Sequence, residues 1–391
     1  MNEKNRITRL VEKGVKILTP ESVHIHEDVN PDQISGDQVV IYGGCRISGR
    51  STLISGKVRI GNEGPVVIEN CQIGPDVELK GGYFKESVFL KGASMGSGAH
   101  IREGTILEEE ASGAHTVGLK QTILFPFVTL GSLINFCDCL MAGGTSRKNH
   151  SEVGSSYIHF NFTPYQDKAT PSLIGDVPNG VMLRQKPIFL GGQGGMVGPC
   201  RISYGTVIAA GSICRKDEMR PDRLILSQEP KSINVEFKSG FPKAWKRIYL
   251  SNLNYIANLM ALMKWYQHVR YRFLSDEFSI LLFRGLIEKL EMGIHERIFR
   301  LKEFALKFHA ELKEIEWGPI EQVLNDLKEY EGESRHRDAF LSSIEEGIKT
   351  HGKSYIPVIQ QIRPDDAVIG TEWLQGILDH ILFMCKKTSL T

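Results

Sequence analysis

Apolar residues between positions 39 and 230 return every six places, not every two or every three to four. Val67, Ile73 and Leu79 form one such run; Met95, Ile101 and Leu107 form a second; Ile202, Ile208 and the small apolar Cys214 form a third. Small residues follow the leading position by four: Ala99, Thr105 and Ala111 in the second run, Thr206 and Ser212 in the third. A period of six suits neither a helix nor an alternating strand. It predicts a parallel β-helix in which each hexapeptide makes one flat face, the aliphatic residue filling the interior and the small residues allowing the corner. A coil of about ten turns is expected. Thirty of the 39 glycines precede residue 231, as a chain that turns this often requires. The breaks between runs predict inserted loops, where a rigid solenoid tends to carry its function.

The ends read differently. Residues 6–18 start with helical spacing and turn extended at Gly14, and the alternation of Val23, Ile25 and Val29 then predicts a strand with His24 and His26 facing solvent. Beyond Lys231 the spacing becomes helical, as at Leu253, Ile256, Met260 and Met263, and no proline occurs from Lys243 to Trp317. EGESRHRD reads as a polar linker with two helical stretches after it, and Trp245, Trp265 and Tyr266 read as core. The expected organisation is a linker helix and entry strands over 1–38, a β-helix over 39–230 and an α-helical domain over 231–391.

Composition narrows the function classes. A net charge of +1 with 24% charged residues gives no bias toward nucleic acid. No run of about 18 apolar residues is present to span a membrane, and the polar N-terminus is unlike a signal peptide. Seven cysteines without a framework suit a reducing cytoplasm, and Cys137 and Cys139 are too close for zinc spacing and read as buried thiols.

Candidate chemistry concentrates between Asn149 and Gly211, where a polar excursion interrupts the coil. His150 and His159 are candidate general bases, since imidazole titrates near working pH, with Glu152 or Asp167 available to orient the ring. Arg102, Arg147, Lys148 and Lys168 offer charge for phosphate. Asn161 offers a donor and an acceptor to a sugar, and Tyr165 lies on the same excursion. Phe189 to Pro199 is glycine-rich without a phosphate-loop pattern and reads as a tight corner.

Several segments resemble the acetyltransferase half of the bifunctional N-acetylglucosamine-1-phosphate uridyltransferase/glucosamine-1-phosphate acetyltransferase family. They are LVEKGVKILTPESVHI, AHIREGTIL, SEVGSSYIHFNFTPYQDKATPSLIGD and ISYGTVIAAGSICRKD. The resemblance places Arg102 and Lys168 on phosphate-binding positions, and Ala209, Ala210 and Gly211 where that family lays coenzyme A. It implies that the coil is left-handed, with acetyl-CoA as co-substrate, no metal, an amino-sugar phosphate or nucleotide sugar as acceptor, a homotrimer with sites between neighbouring solenoids, and a separate nucleotidyltransferase as possible partner. Two other readings stay open at this point. One is a non-catalytic sugar-nucleotide-binding or scaffold protein; the other is a metal enzyme using His115, His150 and His159.

Overall fold

The computed structural model describes residues 3–161, 163–164, 168–226, 232, 234–236, 242, 244–308 and 316–389. Helix α1 (Glu3–Lys13) stops at Gly14, whose φ of +110° only glycine adopts freely, and whose missing side chain leaves room for the Gly36 carbonyl. The next strand, Lys16–Ile17, already pairs in parallel with Val40–Ile41. It is the first rung of an eleven-stranded face that runs through Glu152–Val153, Phe189–Leu190 and Val207–Ile208 to Leu224–Ile225. A sixteen-stranded sheet supplies the second face, from His24–Ile25 to Ile213–Cys214, and the third, from Leu53–Ile54 to Arg201–Ile202. Every pairing in these sheets is parallel, which makes the β-helix expected from the six-residue beat, with eleven rungs on its longest face.

The interior is filled as the beat implies. Met95, Ile101, Leu107, Ile202, Ile208 and Cys214 are buried, and so are the small Ala99, Thr105, Ala111, Thr206 and Ser212. The first run differs by one place: Val66 and Ile68 point inward, and Val67 between them is half-buried on the outside. His24 and His26 face solvent, as alternation predicts. The eight-residue strands Val117–Leu124 and Ile134–Met141 bend from the second face to the third at Gln121 and Asp138, whose φ values of 49° and 60° lie in the left-handed region.

The three faces are chemically unlike. Outward residues of the first face are mainly polar in the lower rungs: Lys16, Arg59, Glu78, Ser94, Ser112, Thr129. The outward column of the third face is Leu53, Gln72, Val88, Ile106, Ile123, Leu140, Leu173 and Arg201 in unbroken register, buried as far as Leu173 and half-buried at Arg201. What covers it is the C-terminal part of the chain. After the short α2 (Val177–Gly180), inserted in the solenoid, this part comprises α3 (Trp245–His268), α4 (Glu277–Lys307), α5 (Trp317–Asp326), α6 (Ser334–His351), α7 (Tyr355–Gln361) and α8 (Pro364–Ser389). Helix α4 lies along the third face and α3 packs at its upper end. Ser334 to Asp338, expected as linker, form the first turn of α6, and three helices follow Gly332 where two were expected. Trp265 and Tyr266 are core residues, and Trp245 packs against it half-buried.

Polar clamps, among them the following, join the helices to the coil. Arg270, after α3, donates to Glu108 (2.6 Å) and Glu109 (2.7 and 2.9 Å), with the Tyr266 hydroxyl on Glu108 at 2.5 Å. Arg297 of α4 meets Asp138 at 2.8 Å. From α3, Asn252 donates to the Ala169 carbonyl and Asn258 accepts from the Val177 amide.

Candidate functional site

The residues singled out in the sequence occupy all three edges of the prism, at the coils around Glu152. His150 ends a small antiparallel hairpin, Gly144–Ser146 with Asn149–His150, at the edge where the third face turns into the first. Its side chain is 20% exposed and its Nε2 lies 3.9 Å from Glu152. The hairpin is pinned from both sides. Arg147 donates to the Glu110 carbonyl, Ser112 and Thr129, and Gln360 at the end of α7 donates to the Thr145 carbonyl. Arg147 is therefore a structural strut with its guanidinium committed to the solenoid wall.

Asn161, Lys168 and Arg102 line the edge between the second and third faces. Asn161 Nδ2 donates to Asp138 at 3.2 Å, which leaves Oδ1 as the acceptor. Lys168 is exposed, and its backbone carbonyl accepts from Arg297. Arg102 sits three rungs lower on the same edge, roughly 14 Å away at the ~4.8 Å strand spacing. Its ion pair with Glu103 is loose at 3.4 Å, while Lys120 holds the same carboxylate at 2.8 Å. Tyr165 and Asp167 lie outside the described residues.

His159 is a different kind of residue from His150. Strand Tyr157–Phe160 alternates strictly, so Tyr157 and His159 point inward while Ile158 and Phe160 point out. His159 is 2% exposed; Nε2 bonds to Ser172 at 2.8 Å, and Nδ1 faces the backbone at Cys137 without a well-formed hydrogen bond. Burial drives its pKa down to about 4, against a smaller upward pull from Asp138. That leaves it neutral and closed off from solvent, a poor position for a proton acceptor. The alternation in YIHF was the available signal. Sequence reading did not find the partners: Ser172, Asp138 and Arg297. Burial raises the neighbouring Cys137 thiol to about 11, in line with an inert, packed cysteine.

Ala209, Ala210 and Gly211 stand on the remaining edge, between the first and second faces, below full burial and stacked on Gly191 and Gly192. A side chain at Gly191 would meet the Ala210 amide at 2.3 Å, so the glycine-rich segment is a corner tight enough for two coils to touch. His115 is on this same edge, bonded to Ser132 at 2.8 Å. The three histidines of the metal reading therefore sit apart, and among the described residues no group of three or more His, Cys, Asp or Glu is placed to hold an ion.

The clefts of the chain lie beside these residues. One of about 910 Å³ opens between the lower coils and the start of α4, and none of the predicted site residues lines it. Another, of about 600 Å³, is bounded by Glu103, Lys120 and His295 next to Arg102. Neither of these two clefts is lined by His150, Asn161 or Lys168.

Hexapeptide corners, parallel rungs and one polar crossover make this part of the chain a β-helix of the hexapeptide-repeat kind. Comparison with curated proteins agrees: the chain is similar to the bifunctional protein GlmU of Thermotoga maritima, 29% identical over 216 residues, 54% of this chain and 42% of that protein. The GlmU proteins of Pelobacter propionicus (28% over 230 residues; 58% and 44%) and Fervidobacterium nodosum (28% over 253 residues; 64% and 48%) are similar to the same extent. The chain spans less than half the length of these relatives. No family model matches it. Among the described residues no helix is long and apolar enough to cross a membrane.

Proposed function

We propose that the chain is an acyltransferase that moves acetyl from acetyl-CoA to the amino group of an amino-sugar phosphate or nucleotide sugar, at sites formed between copies of a homotrimer. The observation that carries this reading is the division of the candidate residues between two edges of a prism whose third face is already covered. If three copies share an axis at their small-residue edges, the first face of each lies against the second face of the next. His150, on the outer margin of one first face, then approaches Asn161, Lys168 and Arg102 on the outer margin of the neighbour's second face. The helices stay outside.

Surface chemistry supports the packing. The upper rungs of the first face present Phe189, Val207 and Leu224 in one register column, Leu224 at 66% exposure. The upper second face presents Leu133, Ile158 and Phe160. Exposed apolar residues grouped in this way mark interaction surfaces. Val207→Glu is expected to convert the assembly to single chains, read as molar mass by light scattering, with the fold kept because Val207 points outward.

In the reaction, His150 Nε2 takes the proton from the acceptor amine as its nitrogen attacks the thioester carbonyl. The tetrahedral intermediate collapses with cleavage of the C–S bond, leaving an amide and the CoA thiol, which recovers the proton. Glu152 steadies the imidazolium. Arg102 and Lys168 bind the phosphate, and Asn161 Oδ1 accepts from a sugar hydroxyl or amide. A separate nucleotidyltransferase would use the product, and the cysteine usage suits a cytoplasmic setting.

The test is thiol release from acetyl-CoA with a panel of amino-sugar phosphates. His150→Ala should lower kcat on the order of 10² to 10⁴-fold, the contribution of a general base. Saturable nucleotide-sugar binding without turnover would favour the platform reading instead.

A further inference from the structure

We infer that Arg297 of α4 is a positioning residue for Asn161 and Lys168, so that the helical domain holds the substrate side of the proposed site; the catalytic part of this inference rests on that proposal. Arg297 is buried in the contact between α4 and the solenoid. Its Nη2 meets Asp138 Oδ1 at 2.8 Å and its Nη1 donates to the Lys168 carbonyl at 3.2 Å. Asp138 sits at the left-handed bend of its coil and uses its second oxygen to accept from Asn161. One guanidinium therefore fixes both ends of the crossover that leaves the coil at Asn161 and returns at Lys168.

The neighbouring contacts extend the same arrangement. Asn252 of α3 holds the Ala169 carbonyl at 2.9 Å, so two successive carbonyls are taken by two helices. Behind them Gly198 leaves space that a side chain would fill, since a Cβ there would lie 2.1 Å from the Thr170 carbonyl. The exposed Lys168 side chain and the Asn161 amide project from a backbone gripped on both sides. Arginine suits this role because its planar fork serves a carboxylate and a carbonyl together, which a lysine ammonium at one point does not reproduce.

The experiment compares the full chain with Arg297→Gln, Arg297→Lys and Asp138→Asn, and with Arg300→Gln one turn away as a control. Among the described residues, Arg300 forms its ion pairs with Glu296 and Glu303 of its own helix. Amide hydrogen exchange in peptides covering 157–161 and 168–174 should speed up by about tenfold or more in Arg297→Gln and Asp138→Asn, the size expected for one lost hydrogen bond to a charged group. Arg297→Lys should fall between, and Arg300→Gln should match the unmodified chain. With an amino-sugar phosphate, KM should rise by a similar factor while kcat changes little. Unchanged local exchange, exchange that rises equally throughout the chain, or a KM no different from that of Arg300→Gln would overturn the inference. Should the unmodified chain turn over no acceptor, the proposed function fails, and the exchange measurement still decides whether Arg297 positions the crossover.

Discussion

Arg270→Met is expected to destabilise the full chain by about 3–5 kcal/mol, the cost of stripping one partner from a buried ion pair. The guanidinium stands between Glu108 and Glu109 of the solenoid and stacks on the Tyr355 ring at 3.8 Å, tying α3 and α7 to one coil. Methionine fills most of the volume but leaves two carboxylates beside apolar helices with no counter-charge. Burial already pushes the Glu108 carboxyl up, and loss of the Arg270 charge pushes it further. A carboxyl raised in the folded state adds stability at low pH and loses it as pH rises. The deficit of Arg270→Met should therefore shrink on acidification, and Glu108→Gln with Glu109→Gln should recover part of it at neutral pH. Urea unfolding of the parent, of Arg270→Met and of the triple variant across pH checks both statements; a deficit independent of pH would mean that lost packing, not charge, is responsible.

The second large effect is the acid sensitivity contributed by His159. Its folded pKa of about 4 lies below the unfolded value of 6.5. Between these values the unfolded chain binds a proton that the folded chain refuses. The stability this residue contributes is present above pH 6.5 and is lost as pH falls through the window, by about 3 kcal/mol at its lower end. His159→Gln can keep a bond to Ser172 without titrating. It should be less stable than the parent at pH 7.5, yet should lose about 3 kcal/mol less on going to pH 4.5. Comparing the two proteins cancels the other groups that titrate there, among them the half-buried His268, which burial also lowers. Parallel stability curves would show that His159 is not sealed in the folded chain.

How much of this was legible in the sequence follows from the range of each interaction. The coil was readable because its signal is local: Met95, Ile101 and Leu107 repeat within one turn of chain, and each fills the same interior place. Register was less secure where a strand carries apolar residues on both sides, as Val66, Val67 and Ile68 do. The stretch after Gly14 was read as extended but not as the first rung of the coil, because the partner of Lys16–Ile17 lies 24 residues on, outside the six-residue beat.

The covered face left a trace that a six-residue count discards. Ile106–Leu107, Ile123–Leu124 and Leu140–Met141 are adjacent apolar pairs, which a strand needs only when both its sides are buried. Burial of His159 was likewise written in the alternation of YIHF. The Asp138–Arg297 and Glu108–Arg270 clamps had no such trace. Their partners stand more than a hundred residues apart, and a lone Asp between two cysteines or an Arg after a helix is compatible with many surroundings. The sequence sets His150 and Asn161 on one polar excursion, but only the fold shows that they occupy different edges of the prism.

That separation gives the most direct measurement. His150→Ala and a variant combining Asn161→Ala with Lys168→Ala are prepared separately, each expected to be inactive, then dissociated, mixed and reassembled. Thiol release from acetyl-CoA should reappear in the mixture, because some interfaces then pair an intact His150 from one copy with an intact Asn161 and Lys168 from the next. A mixture that reassembles into the same oligomer and stays as inactive as its parents would contradict a site built between copies.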